Sequence, residues 1–254
     1  MTNYIITTSN LTKVYHGTPA VNDLNLAIPK NKVYGLLGAN GAGKSTTLKM
    51  LTGIIRPTSG EIFFQGKPWR REDLLSIGAL IENPPLYPQL SAYDNLLVRT
   101  TALEIDKSRI SEVLQIVNLT DTKHKKVKHF SLGMKQRLGI ALALINEPSL
   151  LILDEPANGL DPLGIQELRE LIKSFKNQGI TVIISSHILS EIEQIADHIG
   201  IIAGGKLGYD GNSNETVITE HIKNIRQKIR GYHLDPIETV WGIGYRWKKE
   251  NQLV

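Results

Sequence analysis

The sequence predicts an α/β fold, and three observations carry that expectation. A glycine-rich loop, GANGAGKS from Gly38 to Ser45, stands between a compact apolar run, KVYGLLG, and a helix-compatible run, STTLKMLTG. Two nearly continuous apolar runs, SLLILDEP and ITVIISSH, suit strands covered on both faces of a parallel sheet. Ahead of them, YIITTSNLTKVY and VNDLNLAIPK alternate between turn residues, as antiparallel strands do. The 254 residues are enough for one α/β domain, or for a domain with a small appendage.

The remaining elements follow in order. EIFFQG has strand character, and from Ser91 to about Ile145 the spacing turns helical, most clearly in NLLVRTTALE and ISEVLQIVNL. After ITVIISSH come a helical stretch, ILSEIEQIADHI, and a short pair of strands, IGIIAGG and KL. No repeat or low-complexity tract interrupts the chain. The absence of cysteine excludes disulfides and thiolate metal sites and fits a reducing location. MTNYIITTSN has neither the basic start nor the apolar stretch of a signal peptide, and IALALI and LLIL are too short to cross a bilayer, so a soluble chain is expected. A net charge of +4 selects no partner. KHKKVKH, Lys123 to His129, suits a solvated loop better than a nucleic-acid site, and His124 and His129 lack the acidic or cysteine partners of a metal site.

Chemistry concentrates at two places. Gly38 to Ser45 satisfies G-x-x-x-x-G-K-[ST] in a strand-to-helix context. Gly38, Gly41 and Gly43 let the backbone curl so that successive N–H groups point inward, and the helix N-terminus adds partial positive charge. Lys44 is expected to reach the β- and γ-phosphates of a nucleotide and Ser45 to offer its hydroxyl to Mg²⁺, with Asn40 and Thr46 in the same contact set. In LLILDEP, Asp154 and Glu155 end a buried strand, where unpaired carboxylates are expensive. Asp154 is placed to hold Mg²⁺, directly or through water, and Glu155 to polarise the water attacking the γ-phosphate. Taken alone, the pair also fits a strand end with two solvated acids. His187 ends the next apolar run and is expected to hydrogen-bond the γ-phosphate.

FSLGMKQRLGIALALINEPSLLILDEPANGLD resembles the signature-to-D-loop block of ATP-binding-cassette (ABC) ATPases. The resemblance covers residues 1–207 in the expected motif order. It implies a P-loop NTPase core with an antiparallel β subdomain and an α-helical subdomain inserted at about 83–145. It also implies two cassettes per working unit, because one subunit's signature closes over ATP held by the other's phosphate loop. Ser131 and Gly133 fall in the signature, Lys135 to Arg137 just after it, and Leu160 and Asp161 in the D-loop. Tyr15 matches the aromatic that stacks on adenine. Two departures stand out: the signature runs Ser131-Leu-Gly-Met-Lys, and Glu82 occupies the place of a common glutamine, where a carboxylate can still ligate Mg²⁺ or orient water. Both resemble the branch of exporters that protects bacteria against bacitracin and lantibiotics. The branch implies an integral membrane permease, contacted by the segment after Glu82, and hence a cytoplasmic location at the inner face of the membrane.

The last segment has another character. Ile218, Ile222, Ile225 and Ile229 fall on one helical stripe, while Thr219, Lys223, Arg226, Gln227 and Arg230 form a basic face. PIETVWGIGYRW then alternates around Gly242 and Gly244. Residues 208–254 resemble the end of a winged-helix response regulator, its recognition helix and its wing, although Trp241 stands where relatives carry a basic residue. The earlier helices and sheet that seat such a helix are not in the sequence, and one isoleucine stripe is too little to bury a core. The expectation is therefore a short helix and β-hairpin appended to an ATPase, without specific DNA binding. The alternatives are a soluble cassette ATPase acting on ribosomes or DNA, and a regulator binding DNA through residues 208–254.

Overall fold

The computed structural model describes residues 3–212 and the backbone of residues 237–240 and 244–247. The chain divides into two compact units, Met1–Trp69 with Ile183–Val254, and Arg70–Val182.

In the first unit, β1 (Tyr4–Tyr15), β2 (Thr18–Leu24), β3 (Ala27–Pro29), β4 (Val33–Leu37), α1 (Lys44–Leu51), β5 (Ser59–Phe64) and β6 (Lys67–Pro68) follow one another. The alternating segments form the expected antiparallel sheet, in the order β2-β1-β5-β6, with β3 also paired to β1. β1 serves β3 with its first half and β2 with its second, so the chain between β2 and β3 must bend. The buried Thr8 holds that bend: its hydroxyl donates to Leu24 O and accepts from Leu26 N–H, both at 2.8 Å. Ile6, Leu11, Leu24 and Ile28 supply the sheet's buried face.

In the second unit come β7 (Ile77–Leu80), α2 (Ala92–Ala102), α3 (Ser108–Ile116), α4 (Leu132–Leu144), β8 (Leu150–Leu153) and α5 (Pro162–Asn177). β7 and β8 pair in parallel, Leu80 opposite Leu153. Ser91 and Asp94 close a capping box at the start of α2, satisfying N–H groups that a helix end leaves free. α3 buries Ile110, Val113 and Leu114 along one stripe; α4 carries Lys135, Gln136 and Arg137 in its first half and buries Leu138, Ile140, Ala141, Ala143 and Leu144 in its second. Gly139 allows α4 to approach closely, since a Cβ there would lie 2.8 Å from Pro84 Cβ and 3.1 Å from Leu80 Cδ1. KHKKVKH forms short turns in which only Val127 is buried.

β9 (Thr181–Ser186) crosses from the second unit into the first, where α6 (Leu189–Glu193), β10 (His198–Ala203) and β11 (Lys206–Asn212) follow. The first unit thereby gains a second sheet segment, ordered β11-β10-β4-β9, in which β10 is parallel to β4 and antiparallel to β11. The helix expected over ILSEIEQIADHI is only five residues long. It gives way at Gln194, and Asp197 then bonds Val33 twice, N–H to Val33 O at 2.8 Å and carboxylate accepting from Val33 N–H at 3.0 Å, directly ahead of β10.

β11 also outruns the expected KL. It continues to Asn212, past the boundary expected at residue 207, because Asp210 has partners in the sheet. Asp210 Oδ1 accepts from the Tyr34 hydroxyl at 2.9 Å and lies 3.0 Å from His198 Nε2, while the Tyr34 and His198 rings stack at 5.5 Å. Burial, the neighbouring Asp210 charge and this hydrogen bond hold the Tyr34 phenol well above its ordinary range. Burial also raises Asp210, although its bonds to Tyr34 and His198 pull the other way. β12 (Ile237–Val240) and β13 (Gly244–Trp247) form the expected antiparallel hairpin. The isoleucine stripe, the basic face and Trp241 lie outside the described residues.

Candidate functional site

In the first unit, the phosphate loop is built on β4, all five of whose residues are buried. Gly38 N–H donates to Ser186 O at 3.3 Å, tying the loop's first residue to the end of β9. The chain then turns through Gly41 and Gly43, with φ of 78° and 107°, backbone that side-chain-bearing residues rarely adopt. Gly43 caps α1 and Thr47 Oγ1 donates to Gly43 O at 2.9 Å. Lys44 is only 5% exposed and its ammonium donates to Gly38 O and Ala39 O at 2.8 and 3.1 Å, so the charge lies inside the loop's curve. Ser45 and Thr46 are half-buried in the first turn of α1; Asn40 and Gly41 are exposed at the tip. A glycine-turned loop leading into a helix start, with a buried cation inside its curve, is suited to anionic phosphates.

Two further predicted residues belong to this unit. Tyr15 ends β1 with 43% of its surface exposed and the Lys13 ammonium 5.2 Å from its ring centroid. His187, half-buried, follows β9 directly.

The second unit carries the carboxylates. Asp154 directly follows β8 at 4% exposure, its N–H donating to Leu80 O at 2.9 Å. Glu155 and Glu82 each stand two residues beyond the paired Leu153 and Leu80, at the same end of adjacent parallel strands. Both occupy left-handed backbone, with φ of 48° and 60°, a conformation that costs a non-glycine residue about 1–3 kcal/mol and collects at functional sites. Glu155 is half-buried and Glu82 exposed. The fold thus places two carboxyl-bearing turns side by side, an adjacency that the sequence separates by 72 intervening positions (83–154).

The signature and D-loop residues share this unit. Ser131 caps α4, its hydroxyl accepting from Met134 N–H at 3.2 Å, and Asp161 caps α5, accepting from Gly164 N–H at 2.9 Å. Both are exposed. A Cβ on Gly133 would meet only Leu160 Cδ2, at 3.7 Å, so the backbone there is open. Behind Glu82, the buried Asn95 holds the loop to α2: its side chain accepts from Tyr87 N–H and donates to Tyr87 O and Ser91 O. Beside it lies a groove of about 380 Å³ lined by Tyr87, Asn95, Val98, Arg99, Leu142 and Asn146. Sequence reasoning missed Asn95 and the groove because the groove's walls are far apart in the chain.

Ser45 in the first unit and Asp154 in the second each carry an oxygen donor of the hard kind that Mg²⁺ takes. No group of three or more His, Cys, Asp or Glu residues gathers among the described residues.

Comparison with known proteins decides the family. A model of the ABC transporter family matches residues 21–158. The lantibiotic transport ATP-binding protein SrtF of Streptococcus pyogenes is 58% identical over 209 residues, covering 81% of this chain and 91% of that protein. The chain belongs to the ABC transporter family. It is an ATP-hydrolysing ABC ATPase with the α/β cassette fold. The bacitracin transport ATP-binding protein BcrA of Bacillus licheniformis is 49% identical to this ABC ATPase over 235 residues, 91% of this chain and 75% of that one. Among solved structures, cbiO1 from Clostridium perfringens, part of the ABC transporter complex cbiONQ, aligns with a TM-score of 0.77 at 30% identity, covering 91% and 97% of the two chains. A model described as transcriptional regulatory protein, C terminal, matches residues 206–247, so the second family signal begins with the first residue of β11. Among the described residues, no helix of the ABC ATPase is long and apolar enough to cross a membrane.

Proposed function

We propose that this ABC ATPase powers export of bacitracin- or lantibiotic-type peptides through an integral membrane permease, acting as a pair of cassettes at the inner face of the membrane. The observation that carries the reading is Glu82, in the turn beside Glu155, in a chain 58% identical to a lantibiotic transport ATPase. The groove beside Asn95 is where the permease would dock, because the loop it flanks runs directly from Glu82.

In this reading, the loop N–H groups, Asn40 and Thr46 hold the nucleotide's phosphates and Lys44 neutralises its β- and γ-oxygens. Tyr15 stacks on adenine. Glu155 takes a proton from the attacking water while His187 donates to the γ-phosphate. Ser131, Gly133 and Asp161 meet the nucleotide of the second cassette with an exposed hydroxyl, open backbone and an exposed carboxylate. Ser45, Asp154 and Glu82 would hold Mg²⁺, which when bound offsets charge developing on the phosphates. Residues up to Asn212 are read as the cassette, five beyond the boundary expected at 207, with the helical subdomain at 83–145, and the residues that follow as the regulator-like segment.

For that segment we expect DNA binding that is weak, indifferent to sequence and lost with added salt, as counterion release dictates. The residues preceding it are already committed to the ATPase sheet, so they offer no seat for a recognition helix. Cells expressing the chain with its permease should tolerate bacitracin or a lantibiotic better than cells with the permease alone, and Lys44→Ala should remove the difference. Equal survival of all three strains would refute peptide export.

A further inference from the structure

His187 is flanked by a hydrogen-bonded arrangement that no motif in the sequence announces. Ser186, 3% exposed at the end of β9, makes three bonds. Its carbonyl accepts from Gly38 N–H at 3.3 Å. Its hydroxyl donates to Glu191 Oε2 at 2.9 Å and accepts from Ile188 N–H at 2.9 Å. The residues bonded on either side of His187 are therefore held by one side chain, which also belongs to the residue gripping the phosphate loop. A hydroxyl has one proton and two lone pairs. With the proton committed to Glu191, a lone pair is turned to Ile188 N–H; without that acceptor the rotor is free to turn and release it. Glu191, half-buried on the five-residue α6, thus fixes which way Ser186 faces.

We infer that Glu191 is a positioning residue for ATP hydrolysis: through Ser186 it holds the turn carrying His187 in register with Gly38 of the phosphate loop. The inference rests on the proposed contact of His187 with the γ-phosphate. Acting through the turn that carries His187, Ser186 and Glu191 should affect the rate with nucleotide bound and leave affinity to the loop and Lys44.

The test is steady-state ATP hydrolysis and ATP affinity for the full chain with its permease, in the wild type and six variants. Glu191→Ala should lower kcat about 10-fold, part of the roughly 10² that an ångström of misplacement costs, with ATP affinity within about 2-fold. Glu191→Gln keeps an acceptor oxygen and should restore most of the rate. Ser186→Ala should match Glu191→Ala, and the double variant should be no slower than either. In a His187→Ala background, Glu191→Ala should change nothing further. Should Glu191→Ala fail to fold, Glu191→Asp, one methylene shorter with its charge kept, probes the same contact and should also lower kcat. An undiminished kcat in Glu191→Ala, a Gln variant as slow as Ala, or a loss that persists without His187 would overturn the inference. A His187→Ala variant with normal turnover would instead overturn the role of His187.

Discussion

Between β4 and α1, a side chain on Gly41 would find no heavy atom within 4 Å; on β10, one at Gly200 would run into the ring and hydroxyl of Tyr34. The two glycines lie in the same unit and serve opposite ends. At Gly41 the space is open and the backbone runs at φ 78°, so the glycine serves the loop's turn and comes with a motif of fixed spacing. At Gly200 the space is filled by the protein's own aromatic ring, whose hydroxyl is satisfied by Asp210 from β11. A binding loop is legible in sequence because its chemistry is local. A packed sheet edge is not, because Tyr34 and Asp210 are 176 residues apart.

The sharpest way to separate the two regions is to disable the chemistry without touching the packing. Glu155→Gln should bind ATP normally and lower turnover by a factor of about 10²–10⁴, the usual loss for a positioned base. ATP binding and single-turnover hydrolysis check this, and the melting temperature should stay at the wild-type value.

The converse change removes packing and spares chemistry. A chain ending at Leu207 loses Gly208–Asn212 and with them the partner of the Tyr34 hydroxyl. An unsatisfied buried hydroxyl costs about 1–3 kcal/mol, to which the lost β11 pairing adds. Thermal melts should show that chain markedly less stable than one ending at Asn212. Gly200→Ala should destabilise by about 1–3 kcal/mol through overpacking against Tyr34, with ATP affinity held. An unchanged melting temperature would mean that the edge relaxes freely.

The smallest effect is a pH slope. Asp210 is raised in the folded state, chiefly by burial, so the native protein holds this proton more tightly than the unfolded chain does. Stability from this group is present below its unfolded value and falls as pH rises through the folded one. Relative to Asp210→Asn, the wild type should therefore lose stability as pH climbs from the ordinary carboxylate range. Melts of both proteins across that range test it, and parallel curves would contradict the burial argument.

How much was legible follows the same division. The phosphate loop, β4, β8, β9 and the antiparallel block were readable because each rests on local periodicity or fixed spacing. The helix α5 went unread although Asp161 caps it, Pro162 opens it, and Leu168, Ile172 and Phe175 recur on one face. β7, four residues around Gly78, was too short to announce itself, and its meaning is its pairing with β8. Asp210 was assigned to the regulator-like segment because GYDG fits both patterns; only the bonds to Tyr34 and His198 show that it completes the ATPase sheet. The side-by-side turns of Glu82 and Glu155, and the link from Glu191 to His187, depend on positions that spacing does not encode.

We propose that residues up to Asn212 constitute the working ABC ATPase, with β11 completing its sheet. Mg²⁺-dependent ATP hydrolysis, measured side by side for the full chain and for the chain ending at Asn212, with the permease present and duplex DNA titrated in, tests it most directly. Turnover should be equal in the two proteins, with no response to DNA in either. Turnover that requires residues 213–254, or that rises with added duplex, would contradict it.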